Sequence, residues 1–204
     1  MEDKRRNGID ETIAYYDQNA TVFVESTVNA DITELYRSFE EFLNPGARIL
    51  DLGCGSGRDS KYFVRHGYDV VAVDPSQAMC EQTRSYACVP VYKLKAEEMQ
   101  FSDEFDAVWA CASLLHISRD NQIPVFRRIM NALKNDGIIY CSWKYGDKNR
   151  LMDNRQFTDM NEALLQKLIY DIRELDVLRI WITRDVRKEK SKEKWLNALL
   201  RKRI

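Results

Sequence analysis

The residues Arg48-Ile49-Leu50-Asp51-Leu52-Gly53-Cys54-Gly55-Ser56-Gly57-Arg58-Asp59 constrain this chain more than any other stretch. An apolar alternation runs straight into three glycines at every second position, and Lys61-Tyr62-Phe63-Val64 follow as the first turns of a helix. A strand, a tight turn and a helix start are predicted. Glycine is needed in such a turn because it reaches positive φ without a Cβ penalty and lets a ligand lie against bare backbone. The amides at the N-terminus of the new helix then face that ligand.

A turn of this kind suits either a dinucleotide pyrophosphate or the methionine part of S-adenosylmethionine. Asp51 discriminates between them. A carboxylate there repels a pyrophosphate at close range, whereas it accepts from a methionine ammonium group directly or through water. The spacing Gly53-x-Gly55-x-Gly57 also differs from the dinucleotide fingerprint. A second apolar strand, Tyr68-Asp69-Val70-Val71-Ala72-Val73-Asp74, ends in an acid placed to accept both ribose hydroxyls of a nucleoside, and Pro75-Ser76 open the next helix. A third element, Ala96-Glu97-Glu98-Met99-Gln100-Phe101, is an acidic turn in which Glu98 is expected to accept from an adenine amino group with Met99 against the ring.

Through these segments the chain resembles the class I S-adenosylmethionine-dependent methyltransferases. Within them it is similar to the small tellurite-resistance-type branch, through Asp51 to Ser60 and Trp109-Ala110-Cys111-Ala112-Ser113-Leu114-Leu115-His116. The resemblance implies an α/β fold with a doubly wound, seven-stranded, mostly parallel sheet and N-terminal helices. It also implies S-adenosylmethionine as cofactor, with S-adenosylhomocysteine as its product. The cofactor site would comprise Asp51, Gly53, Gly55, Gly57, Arg58, Asp74, Pro75, Glu97, Glu98 and Met99, with the Ala110 carbonyl facing the ammonium or sulfonium side.

Periodicity fills in the rest. Strands are predicted at 47–52, 69–74, 89–93, 105–110 and 137–143, and helices at 57–66, 76–87 and 120–134. Each strand is too apolar to leave one face in water, as in a parallel sheet covered on both sides. Two helices precede them, Ile9 to Ala20 and Asp31 to Leu43, the second stopped by Asn44-Pro45-Gly46. In the family such helices cover the cofactor mouth, which brings Tyr15, Tyr16 and Thr21 toward the methionine end. Asn135-Asp136-Gly137 is expected as the turn before the fifth strand. The polar run 147–157 reads as a loop lining a substrate pocket or as a plain connector. A helix is expected from Thr158 to Ile169, with Thr158 as its cap, and a strand from Asp176 to Thr183. A last strand at 195–200 is expected on family topology, against its helical propensity. The basic run 184–194 reads as a solvated hairpin loop, with phosphate or an acidic partner as the sharper alternative.

With 204 residues the chain suits one domain: a helical cap at 1–46, a cofactor-binding core at 47–145, and a substrate loop with C-terminal strands at 146–204. A formal net charge of -1 neither indicates nor excludes nucleic acid. Five cysteines without a C-x-x-C pair read as small buried residues in a reducing compartment, and two histidines without ligand spacing point away from a metal. The charged N-terminus lacks an apolar h-region, and no stretch approaches the length of a membrane span, so a cytoplasmic protein is expected. Oligomeric state is not legible.

Methyl transfer from a sulfonium needs positioning more than it needs a triad. His116 is the candidate base or orienting group, with a helix-capping role as its plain alternative. Cys111 reads as packing. Substrate-side candidates are Tyr16, Ser113, Lys144 and Arg155, with Trp143, Tyr145 and Phe157 nearby. An arginine among aromatics suits a carboxylate, phosphate or oxyanion, although Arg155 equally suits a surface pair with Asp153 or Asp159. Ala110-Cys111-Ala112-Ser113 departs from the Asp/Asn-Pro-Pro-aromatic motif of amino-group nucleic-acid methyltransferases. A small-molecule acceptor is therefore expected, with an RNA or protein methyltransferase and a catalytically silent cofactor-binding protein as alternatives.

Overall fold

A computed structural model describes residues 2–203, with side chains from residue 8 onward. Three helices lead, α1 (Glu2–Gln18), α2 (Ala20–Thr27) and α3 (Thr33–Glu40). Then β1 (Arg48–Leu52), α4 (Arg58–Arg65), β2 (Asp69–Asp74), α5 (Gln77–Ala87), β3 (Val91–Lys93), β4 (Phe105–Ala110), α6 (Gln122–Ala132) and β5 (Leu133–Lys144) alternate. A hairpin of β6 (Asn149–Met152) and β7 (Arg155–Thr158), α7 (Glu162–Ile172), β8 (Leu175–Arg184) and β9 (Lys194–Lys202) complete the chain.

The main sheet has seven strands in the order β3-β2-β1-β4-β5-β9-β8. Neighbours from β3 to β5 pair in parallel, and β9 lies antiparallel between β5 and β8. The expected sheet, including the last strand against its propensity, is what forms. Alternate residues of each strand serve opposite faces. Leu50, Leu52, Val71, Val73 and Val108 face Val125, Phe126 and Ile129 of α6 and Leu165 and Leu168 of α7. Ile49, Val70, Ala72 and Trp109 face Tyr36 and Phe39 of α3 and Phe63 of α4. The strand order reverses between β1 and β4, and a crevice beyond the carboxyl ends of strands opens at such a reversal.

Four local expectations need correction. The run 147–157 is not irregular: β6 and β7 pair in register, with Asp153 and Asn154 at the turn. Both have positive φ (52° and 59°), the conformation that a two-residue hairpin turn demands and that Asp and Asn tolerate. Thr158 ends β7 rather than capping a helix; Asn161 caps α7 instead, its Oδ1 accepting from Leu164 N at 3.0 Å. The N-terminal helix does not run to Ala20 but gives way at Asn19 to α2. Asn135-Asp136-Gly137 lies within β5 as an irregularity, where the β4 pairing jumps from Phe105↔Leu133 to Ala107↔Ile138.

Candidate active site

β1 delivers the chain into the glycine turn at the sheet's reversal point. Gly53 has φ +81°, and its amide and that of Cys54 both donate to the Val73 carbonyl, at 2.8 and 3.1 Å. A Cβ on Gly53 would stand 2.3 Å from Ser113 Cβ, so this residue must be bare for the turn to meet the end of β4. Gly57 (φ +78°) opens α4 without a side-chain cap, and Arg58 and Asp59 in its first turn line a cavity of about 460 Å³.

That volume lies in the roughly 300–1,000 Å³ range of small-molecule sites. Its walls run from the glycine turn and Asp74 past Glu97 to Ser113, His116 and Tyr16, and on to Lys144 and Arg155. Asp74, at the end of β2, accepts from Gly55 N at 3.0 Å and Ser76 N at 2.9 Å. Burial nevertheless pushes its carboxyl up to about 6. The acidic 3-10 turn Ala96–Glu98 puts Glu97 on the wall with a buried Oε1 that has no partner. Ser113 Oγ is a second buried wall atom without a partner.

Beside the turn lies a buried network that sequence reasoning missed. Asp59 accepts from Arg58 Nε at 2.6 Å and Nη2 at 3.1 Å, from the Tyr36 hydroxyl at 2.5 Å and from Trp109 Nε1 at 2.8 Å. Burial pushes its carboxyl up, but Arg58 and these hydrogen bonds outweigh that and hold it low. Asp51 accepts from Ser60 Oγ at 2.5 Å; burial and then the neighbouring Asp59 push it up. Only an acid at the second position after the last glycine of the turn hints at Asp59, and nothing in the sequence singles out Tyr36.

At the other end, η-type turns after β4 place His116 between two elements. Nδ1 lies 2.7 Å from the Gln156 carbonyl, which can only accept, so Nδ1 carries the proton. Nε2 is then the acceptor of the Tyr16 hydroxyl at 2.8 Å. Burial, followed by the charges of Arg155 and Lys144, pulls the imidazole down to about 4, so it is neutral at pH 7. Burial raises the Tyr16 hydroxyl to about 12, although Arg155 opposes this. Ala112 holds φ +53°, with its amide donating to Ser142 Oγ at 2.9 Å. Cys111 is on the wall, but burial raises its thiol to about 12, which favours packing over nucleophilic attack.

α1 contributes Thr12, Ile13 and Tyr16 to the wall of this cavity and is fastened near its middle and at its C-terminal end. Asp17 accepts from Ser76 Oγ at 2.5 Å and Ala78 N at 3.1 Å; Thr12 Oγ accepts from Gln156 N at 2.9 Å. Thr21 is not on the cavity wall, and neither is Tyr15, which stacks under Arg155 at 4.2 Å.

Of the residues expected around the cofactor, Gly53, Gly55, Arg58, Asp74, Pro75 and Glu97 line the cavity. Asp51, Gly57, Glu98, Met99 and Ala110 do not. Successive residues of a 3-10 turn point about 120° apart, so with Glu97 inward Glu98 turns to solvent. Met99 is 1% exposed and belongs to the core, where it cannot lie against an adenine. Ala110 is fully buried beside Cys141 of β5. Tyr16, Ser113, His116, Lys144 and Arg155 all line the cavity, as does Phe157. Arg155 pairs with Asp153 at 3.3 Å, whereas Asp159 pairs with Arg150. Among the described residues no group of acids, histidines and cysteines has metal-site geometry, and no helix is long and apolar enough to cross a membrane.

Residues 49–137 match the family model of a methyltransferase domain. YqeM of Bacillus subtilis strain 168, a methyltransferase by name, is 27% identical over 160 residues, or 73% of this chain and 64% of the relative. A ubiquinone biosynthesis O-methyltransferase of Rhodopseudomonas palustris is 31% identical over 100 residues, or 46% of this chain and 38% of the relative. The chain thus spans less than two thirds of the length of these curated relatives. Among solved structures, the Burkholderia thailandensis 1,6-didemethyltoxoflavin-N1-methyltransferase, bound to 1,6-didemethyltoxoflavin and S-adenosylhomocysteine, superposes with TM-score 0.76 at 21% identity. That match covers 96% of this chain and 87% of the other. The [4+2]-cyclase SpnF superposes with TM-score 0.73 at 15% identity, covering 94% of each chain. At such identities the likeness is one of fold: the sheet is the Rossmann-like sheet of the class I methyltransferases.

Proposed function

We propose that this chain is an S-adenosylmethionine-dependent methyltransferase acting on a small-molecule acceptor. One observation carries the reading. A single cavity joins a bare glycine turn, a strand-end carboxylate and an unpartnered glutamate at one end to a neutral, oriented imidazole at the other. The residues present fit the cofactor: Asp74 for the ribose hydroxyls, the Gly53–Gly55 backbone for the amino-acid part, and the orphaned Glu97 Oε1 for a nucleoside donor. When bound, S-adenosylmethionine supplies an electrophilic methyl group on a sulfonium, and the carbon–sulfur electron pair returns to sulfur as the new bond forms.

The chain's own residues position the acceptor and manage its proton. The Gln156 carbonyl fixes the His116 tautomer, leaving the Nε2 lone pair free of hydrogen and directed at Tyr16. A hydroxyl or thiol acceptor donates to Nε2 in place of Tyr16, and its proton goes to that nitrogen as the methyl group arrives. Ser113, with no protein partner, is free to orient the same acceptor. α1 and the β6–β7 hairpin wall this end through Tyr16, Met152 and Arg155. The finer placement in the tellurite-resistance-type branch is supported by Asp51 to Ser60 and by Trp109 to His116. A cytoplasmic location is supported by five cysteines that are all unpaired.

The likeness to a [4+2]-cyclase favours one second reading: a chain that keeps the nucleoside pocket without methyl transfer. Calorimetry with S-adenosylhomocysteine tests the pocket, and a screen of metabolite, oxyanion and RNA pools with labelled methyl donor tests turnover. Heat with the nucleoside and a labelled small product supports the proposal. Heat without any labelled product favours the second reading, and no heat with either nucleoside removes both.

A further inference from the structure

The two ends of the cavity carry opposite charge. Asp74 and Glu97 lie at the nucleoside end. At the other end β5, β7 and the turn between β8 and β9 bring Lys144, Arg155, Arg187 and Lys190 onto the wall. Lys144 Nζ lies 5.6 Å from the Phe157 ring centre, and the Arg155 guanidinium lies 5.3 Å from the same ring, so the two charges stand close together on the wall.

Protein carboxylates meet three of these four cations, and unevenly. Arg187 is held by both oxygens of Asp185, which also accepts from Trp195 Nε1. Lys144 pairs with Glu193. Arg155 lies over the Tyr15 ring and has one carboxylate contact among the described residues, Asp153 at 3.3 Å, while its buried Nε has no hydrogen-bond partner. Lys190 is half-buried and has no carboxylate within ion-pair distance among the described residues. Burial and then Arg187 pull its ammonium down; Glu193 opposes this, and Lys144 and Arg155 add to it. Crowded, partly desolvated cations of one sign are costly unless an anion completes them.

We propose that the methyl acceptor is a small planar organic acid, its carboxylate held between Arg155 and Lys190 and its body laid against the aromatic wall beside His116. This rests on the methyltransferase reading and names its substrate class. A planar guanidinium suits a carboxylate, and the aromatic wall of Tyr16, Phe157 and Trp195 suits a flat body better than an inorganic ion. The same anion would offset the two charges that depress His116 and would make Nε2 a stronger base only when the acceptor is seated.

Calorimetry on the full chain saturated with S-adenosylhomocysteine, using salicylate against its neutral isostere salicylamide, tests the assignment. Salicylate is expected to bind about tenfold or more tightly than the amide. Arg155→Gln and Lys190→Gln should each remove most of that preference while leaving nucleoside affinity within about twofold. Equal binding of the two probes, no heat from millimolar salicylate, or tighter binding of inorganic phosphate would overturn the proposal. So would a loss of nucleoside affinity in the two variants, because the cations would then serve the cofactor's own carboxylate. The same titrations without nucleoside keep the readings apart. A salicylate preference in a protein that ignores S-adenosylhomocysteine removes the methyltransferase reading and leaves the anion site standing.

Discussion

Asp74 makes a quantitative test of the nucleoside end. Its folded carboxyl is raised from 3.8 to about 6 by burial, so the folded chain holds a proton that the unfolded chain has released. That term favours folding below pH 3.8 and is lost as pH rises through 6; at neutral pH the buried charge costs about 3 kcal/mol. Ribose hydroxyls donating to the ionised form repay part of this cost, so nucleoside binding should release a proton. About nine-tenths of molecules carry the carboxylate at pH 7 and about a tenth at pH 5. If only the ionised form grips the sugar, the dissociation constant of S-adenosylhomocysteine rises about tenfold over that interval, or ~1.4 kcal/mol. His116, held near 4, stays largely neutral across the same range. Isothermal titration at pH 5, 6 and 7, in buffers of different ionisation enthalpy, measures both the affinity and the proton. Asp74→Asn should weaken binding at pH 7 by about 1.5–3 kcal/mol, as for a lost charged hydrogen bond, and should flatten the profile. A change below twofold, or an equally steep profile in Asp74→Asn, would refute the ribose assignment.

His116→Ala should leave S-adenosylhomocysteine affinity intact while lowering kcat by about 10²–10⁴-fold; an unchanged rate with the natural acceptor would return the residue to a packing role. Tyr16→Phe removes the hydroxyl on Nε2, and its NMR signature should be a shifted His116 ring nitrogen with no change in protein stability beyond about 1 kcal/mol. Asp59→Asn leaves the Arg58 guanidinium buried without its counter-charge and should cost about 3–5 kcal/mol, read as a fall in Tm of roughly 6–20 °C. Adding Arg58→Met to that variant should recover part of the loss. Gly53→Ala forces a side chain into positive φ and onto Ser113, and should cost about 2–4 kcal/mol by thermal denaturation.

The parts of the fold that were legible are those where one local signal decides. β2 and β4 occupy the predicted residues because continuous apolar runs bounded by turn residues admit no other pairing face. The β6–β7 hairpin was missed because its short strands mix polar and apolar residues without a clear period and lie off the main sheet; the Asp153-Asn154 pair was its signal. At the site, the glycine turn was readable because positive φ favours that residue type, and Asp74 because an acid at the end of an apolar strand stands out. Glu98 and Met99 do not line the cavity: successive side chains of a 3-10 turn stand about 120° apart, the sequence does not state which phase faces inward, and Met99 follows the turn into the core. Arg187 and Lys190 looked like a solvated charge run. Only the pairing of β8 with β9, a contact between distant segments, carries their turn over the cavity.

The helix α1 fastens to the start of α5 through Asp17 and to the hairpin through Thr12, and between those anchors it presents Tyr16 to His116. An acceptor that takes the place of Tyr16 at Nε2 must turn the phenol aside or break one of these two ties, because the helix is held on either side of the tyrosine. Replacing Asp17 or Thr12 by alanine should therefore make that displacement easier.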